Sequence, residues 1–121
     1  MNPAIRIAAI ETLPDDYLAR GDFSFTIACY ALPQFDSPVD SWPTRPVAPF
    51  RKRYPLAPFA NEDSVTFLAY RQNDAVGHIT LSKNWNGYTL IDEIAVSADA
   101  RRQGIAGALL DCAKQWARQQ E

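Results

Sequence analysis

Between an apolar run, Leu90-Ile91-Asp92-Glu93-Ile94-Ala95-Val96, and an amphipathic stretch ending near Trp116 stands the segment Arg101-Arg102-Gln103-Gly104-Ile105-Ala106-Gly107. A turn of small residues that opens a helix leaves its first backbone N–H groups unpaired and aimed at one point, where the positive end of the helix dipole also lies. Gly104, Ala106 and Gly107 let a pyrophosphate approach the backbone, and Arg101 and Arg102 add charge. The chemistry expected of the segment is phosphate binding.

Two familiar phosphate loops are excluded. A Walker loop ends in Gly-Lys-Ser or Gly-Lys-Thr, and neither occurs in the sequence. A dinucleotide fingerprint needs an acidic residue about 20 positions beyond GxGxxG, and the chain ends first. The pattern that is present, Arg101-x-x-Gly104-x-Ala106 between a strand and a helix, resembles the acetyl-CoA-binding motif Gln/Arg-x-x-Gly-x-Gly/Ala of the GNAT N-acetyltransferase superfamily. The resemblance implies acetyl-CoA as cosubstrate, held by Arg101, Arg102, Gln103, Gly104, Ile105, Ala106 and Gly107.

The elements that must position this loop are read from periodicity. Ile105, Leu109, Cys112, Ala113 and Trp116 recur at spacings of three and four, with Asp111, Lys114, Gln115 and Arg118 off that stripe, so one face of the helix covers a sheet. Val65 to Tyr70 and Ala75 to Leu81 flank Gln72-Asn73-Asp74 as a hairpin, and Asn84-Trp85-Asn86-Gly87 turns the chain into the strand ending at Val96. Three antiparallel strands thus deliver the chain to the loop. His78 sits among apolar neighbours on the middle strand and is expected to be a packed or partly exposed strand residue, not a catalytic one.

Upstream, Ala4 to Ile10 alternates as a first strand, and Thr12 is placed to cap a helical turn over Pro14 to Arg20, with Asp15 and Asp16 near its positive end. Asp22 to Tyr30 reads as a strand or a buried extended segment. From Leu32 to Pro58 the prolines at 33, 38, 43, 46, 49, 55 and 58 forbid a long helix or a central strand. That segment is expected to be an ordered loop packing Phe35, Trp42, Phe50, Tyr54 and Phe59 on the domain or on a ligand. Its basic run Arg51-Lys52-Arg53 is either a solvated tip or an attractor for an anionic group.

At 121 residues, 47% hydrophobic and 21% charged, the chain is expected to be a single domain of residues 1–121, α/β in the α+β sense: a mixed, mainly antiparallel sheet with helices packed on it. A net charge of −2 gives no basic field for nucleic acid. Cys29 and Cys112 lack CxxC spacing and His78 is the lone histidine, so neither a disulfide framework nor a metal site is expected. No run approaches the roughly 18 apolar residues of a membrane span, so no membrane partner is expected and the cytoplasm is the default compartment.

Val47 to Tyr54, the hairpin Thr66 to Gly77, the turn Trp85-Asn86 and the strand Ile91 to Val96 together resemble the streptothricin (nourseothricin) acetyltransferases. This implies transfer of acetyl from acetyl-CoA to a small-molecule amine, the β-lysine amine of a streptothricin, and hence antibiotic resistance. It also implies that backbone N–H groups at Ile94, Ala95 and Val96 meet the acetyl carbonyl while pantetheine runs alongside. For the base, Asp92 and Glu93 are the candidates, because a carboxylate desolvated on a central strand titrates nearer the working pH. Strand alternation sends them to opposite faces, so only one can serve; each could equally be an anchoring hydrogen bond or an exposed edge group. Trp85 and Asn86 either line the amine pocket, where an aromatic face attracts an ammonium, or simply pack the turn.

Members of that family continue past this helix with another strand, a helix carrying NxxAxxxY, and further strands, whereas this sequence stops at Glu121. The resemblance therefore implies the N-terminal part of the fold, without the tyrosine that protonates the departing thiolate. It also implies apolar surface left on the helix and the last strand, and a homodimer or other self-association through the uncovered sheet edge. A truncated, weak or inactive acetyl-CoA-binding module and an N-acetyltransferase for another amine or protein acceptor are the alternatives.

Overall fold

The computed structural model describes residues 4–14, 16–58 and 62–120. Asp15, expected as a helix-start charge, Phe59, expected as a covering aromatic, and Glu121 lie outside the described residues. The chain forms two compact units, one built from the residues up to Phe23 together with those from Pro55 onward, the other Ser24–Tyr54.

The first unit is built on an antiparallel sheet in the order β1-β4-β5-β6, from β1 (Ile5–Ile10), β4 (Ser64–Arg71), β5 (Asp74–Lys83) and β6 (Thr89–Val96). The two-residue turn Gln72-Asn73 joins β4 to β5, with Gln72 in the left-handed region at φ 58°. Gly87 takes φ 85° in the next turn, where its N–H donates to the Asn84 carbonyl at 3.1 Å, as the Asn-Gly signature requires. Both hairpins and the first strand follow the sequence expectation.

Helix α2 (Ile105–Gln119) packs on the sheet through Ile105, Leu109 and Ala113, all buried, with Cys112 and Trp116 half-buried at the margin. These meet Ala69, Val76, Ile79 and Leu81 in one core cluster. Gly77 permits the close approach there: a Cβ on it would stand 2.9 Å from the Ala95 carbonyl oxygen and 3.4 Å from Ile105. The other sheet face carries a second cluster, Tyr17, Phe23 and Leu68. Tyr17 belongs to α1 (Tyr17–Arg20), a single turn that starts from Asp16 at φ 70°. It is shorter than Thr12 and Pro14 suggested, and Thr12 stands outside it; among the described residues no side chain caps it.

The second unit is a two-stranded antiparallel ribbon of β2 (Phe25–Ala31) and β3 (Thr44–Lys52). β3 corrects the expectation of a continuous loop through the proline-rich stretch. In a two-stranded ribbon each strand bonds on one side alone, so a missing N–H is tolerated. Pro46 stands opposite Cys29, and Pro49 falls inside the irregularity where the register shifts between Ile27 and Cys29. Phe25 packs on Tyr54 and Phe35 edges onto Trp42, whose indole N–H donates to the Gln34 carbonyl at 2.9 Å. Both cysteine thiols are free.

Candidate functional site

β6 feeds the loop of residues 97–104, and the sequence anchors that loop from several sides. The Ser97 N–H donates to the Val76 carbonyl at 2.8 Å, its hydroxyl accepts the Asp22 N–H at 3.0 Å, and the Ala98 N–H donates to the Asp22 carbonyl at 2.7 Å. From the end of β4, Arg71 donates to the Asp99 carbonyl, the Asp99 carboxylate and the Gln103 side-chain oxygen, each at 3.2 Å. The Ser97 hydroxyl, with Arg71 in support, holds the Asp99 carboxyl below its usual range. Arg71 is a residue that sequence reasoning passed over, because it lies on another strand.

The loop reaches the helix through two left-handed residues, Arg102 at φ 63° and Gly104 at φ 82°. The first helical N–H to close a bond onto the turn is that of Ala108, to Gly104 at 3.0 Å, so those of Ile105, Ala106 and Gly107 precede the ladder. Val96, Ala100, Arg101, Arg102, Gly104 and Ile105, with Ala106 and Gly107, line a cleft of about 180 Å³. Arg101 turns back to the strand, its Nε donating to the Val96 carbonyl at 3.0 Å; Arg102 is exposed. Of the predicted cofactor residues, the structure thus gathers Val96, Arg101, Arg102, Gly104, Ile105, Ala106 and Gly107 around one cleft. Gln103 braces it from behind, and Ile94 and Ala95 lie upstream on β6, whose outer side has no partner strand among the described residues. Such a site can bind an anion.

The paired carboxylates are separated by a bulge. Thr80 stands opposite Glu93 but Leu81 opposite Ile91, which leaves Asp92 as the extra residue of β6. Asp92 accepts a hydrogen bond from the Ser82 hydroxyl and Glu93 bonds His78. Ser82 and His78 are four apart on β5 and share a face, so both carboxylates address that face, contrary to the simple alternation expected. Their surroundings distinguish them. Asp92 is exposed, whereas the Glu93 side chain is only 18% exposed, with Oε1 2.5 Å from His78 Nε2 and Oε2 accepting the Ala57 N–H at 3.1 Å.

His78 is fully buried, and its Nδ1 lies 2.7 Å from Tyr17 Oη. Burial pulls the imidazole below its ordinary value of 6.5 despite the opposing pull of Glu93. The Tyr17 hydroxyl is pushed far up by burial and then by the Glu93 charge, so it stays protonated. The structure therefore bears out a packed histidine, while giving it two polar partners that no local pattern announced. Trp85 projects from its turn, 92% exposed, and the Asn86 side chain accepts the Tyr88 N–H at 3.1 Å; neither is brought against the loop cleft's lining residues.

Two bacterial relatives share this sequence in part. Streptothricin acetyltransferase A of Bacillus subtilis (strain 168) is 45% identical over 58 residues, covering 48% of this chain and 34% of that protein. Streptothricin acetyltransferase of Escherichia coli is 39% identical over 74 residues, covering 61% and 42%. The matched stretches thus span under half the length of either relative. Among solved structures, a protein of Bacillus anthracis str. Ames assigned as a streptothricin acetyltransferase, in complex with acetyl coenzyme A, superposes with a TM-score of 0.80 at 26% identity, over 96% of this chain and 69% of that one. Nourseothricin acetyltransferase superposes with a TM-score of 0.71 at 28% identity, over 97% and 68%. The family model for GNAT acetyltransferases matches residues 26–121, from within β2 through the loop and α2, and the chain accordingly belongs to the acetyltransferase (GNAT) family.

Proposed function

We propose that residues 1–121 form a GNAT-type domain that transfers acetyl from acetyl-CoA to a primary amine, the β-lysine amine of a streptothricin. The observation that carries this is the junction of an anion-ready turn and a hydrogen-bonded carboxylate, Glu93, on the strand that feeds it. The turn fits a pyrophosphate: a Cβ on Gly104 or Gly107 would meet nothing within 4 Å, so the backbone is open to an incoming group. Arg102 and Gly104 to Gly107 would hold the pyrophosphate, Arg101 and Gln103 would keep the turn in shape, and Ile94, Ala95 and Val96 would offer backbone groups along the outer side of β6. When bound, acetyl-CoA supplies the acetyl group as an activated thioester.

Glu93 is assigned the base, taking the proton that the substrate ammonium must lose before its nitrogen can attack. Asp92, exposed and paired with a hydroxyl, is the weaker candidate. Trp85 offers a free aromatic face to a cationic amine, with Asn86 beside it. The streptothricin assignment is supported by the two partial sequence relatives, both named for that substrate.

A specific observation favours self-association alongside this reading. Ile91, Ile94 and Leu110 are 44%, 40% and 39% exposed, and β6 is an edge among the described residues. An apolar edge of this kind pairs readily with a second copy; light scattering that returned a monomer at every concentration would remove the homodimer.

Mass spectrometry of a streptothricin incubated with the 121-residue protein and acetyl-CoA tests the activity. An acetylated product, absent without protein and much reduced in Glu93→Gln, is expected. Binding of acetyl-CoA without product would reduce the chain to a binding module, and faster turnover of another amine would replace the substrate.

A further inference from the structure

We propose that His78 and Tyr17 are positioning residues that hold Glu93 in one orientation and keep it ready to accept a proton. The inference rests on the reading of Glu93 as the base, and deepens it.

The three side chains come from α1, β5 and β6 and form one hydrogen-bonded line from the core outward: Tyr17 Oη to His78 Nδ1 at 2.7 Å, His78 Nε2 to Glu93 Oε1 at 2.5 Å. Tyr17 and His78 are closed to solvent, and the line opens only at Glu93. Among the described residues Phe23 also stands edge-on to the imidazole, with Leu68 opposite on β4 and Ala95 opposite on β6, all apolar. Among the described residues Tyr17 and Glu93 are the titratable groups that hydrogen-bond it.

Donor and acceptor chemistry sets the direction of the line. An ionised carboxylate only accepts, so Nε2 carries the proton; a neutral ring then has a bare Nδ1, which takes the Tyr17 O–H. Burial favours that neutral ring and that intact hydroxyl. Every donor points toward Glu93, and the Ala57 N–H fixes the second oxygen. A carboxylate gripped at both oxygens cannot swing, and its open lone pairs are what a substrate ammonium would meet. His78 does not touch solvent, so it acts through Glu93 and not on substrate.

The test uses the free protein first. Because the chain has one histidine, a single imidazole reports by nitrogen NMR, and the Glu93 carboxyl carbon can be followed in a glutamate-labelled sample. The expected result is one neutral tautomer, protonated at Nε2, at and above neutral pH. In Tyr17→Phe that preference should weaken. In His78→Leu the Glu93 carboxyl carbon signal should depart from its wild-type position, whereas His78→Gln, which keeps a donor near Nε2, should largely restore it. In turnover the same variants should lower kcat, about tenfold for His78→Leu, and leave the KM for acetyl-CoA unchanged. A ring protonated at Nδ1, or a Glu93 carboxyl carbon signal identical in the wild type and in both Tyr17→Phe and His78→Leu, would overturn the proposal. If no acetyl transfer is found but the Glu93 carboxyl signal moves as expected, positioning stands and the assigned reaction fails. Tyr17→Phe removes only a hydroxyl, which keeps the test open should His78→Leu not fold.

Discussion

Tyr17 Oη lies 2.7 Å from His78 Nδ1 across 61 positions of sequence, and through this contact a one-turn helix is tied to the interior of the sheet. A buried hydroxyl and a buried ring nitrogen would each be costly alone; together they satisfy one another and leave Nε2 free for Glu93.

Gly104→Val should disable the turn. A β-branched residue at φ 82° is strained by about 1–3 kcal/mol, and relieving that strain reshapes the cleft. Calorimetry should record acetyl-CoA binding at least about tenfold weaker, a change of about 1.4 kcal/mol. Unchanged affinity would dismiss the loop as the pyrophosphate site.

Arg71→Leu should loosen the loop from a distance. Its guanidinium holds Asp99 and Gln103 without lining the cleft at Gly104 to Gly107. Hydrogen exchange should quicken at residues 98–103 while β4 and β5 stay protected, and acetyl-CoA affinity should fall about tenfold. Equal exchange in both proteins would show that the loop holds its shape unaided.

Stability should decline as pH falls below about 6.5, the range in which an unfolded histidine takes up a proton. His78 is held below that value in the fold, so the unfolded chain binds the proton first and the folded state loses stability as pH drops. Asp99, also depressed, adds a smaller loss in the carboxylate range because it is largely exposed. Urea midpoints measured across this range should fall less steeply for His78→Gln than for the wild type; parallel curves would assign the loss elsewhere.

Leu109→Ala should cost about 2–5 kcal/mol, since Leu109 is fully buried between α2 and the sheet. Its neighbour Leu110, 39% exposed, should cost no more than about 0.5 kcal/mol as alanine if that face is free in solution. A larger loss at Leu110, growing with protein concentration, would instead mark a self-association surface.

What the sequence determined by itself is what neighbouring residues encode. Alternation in Val65 to Tyr70 and Ala75 to Leu81 marks a hairpin, the Ile105-Leu109-Ala113 spacing marks the buried face of α2, and Gly104 within its motif marks a turn. These follow from a period or a local dihedral, and each is legible over a few residues. Tertiary structure decided the rest. Pro46 and Pro49 sit in a strand because a two-stranded ribbon leaves one side unbonded. The bulge at Asp92, not strand alternation, sets where the two carboxylates point, and an extra residue is defined only against the partner strand. Arg71 beneath the loop, and Tyr17 and His78 behind Glu93, come from elements brought together by the order β1-β4-β5-β6 and by the packing of α1 on it. Hydrogen bonds between distant side chains leave no periodic trace, so only the folded chain reveals which carboxylate is held and by what.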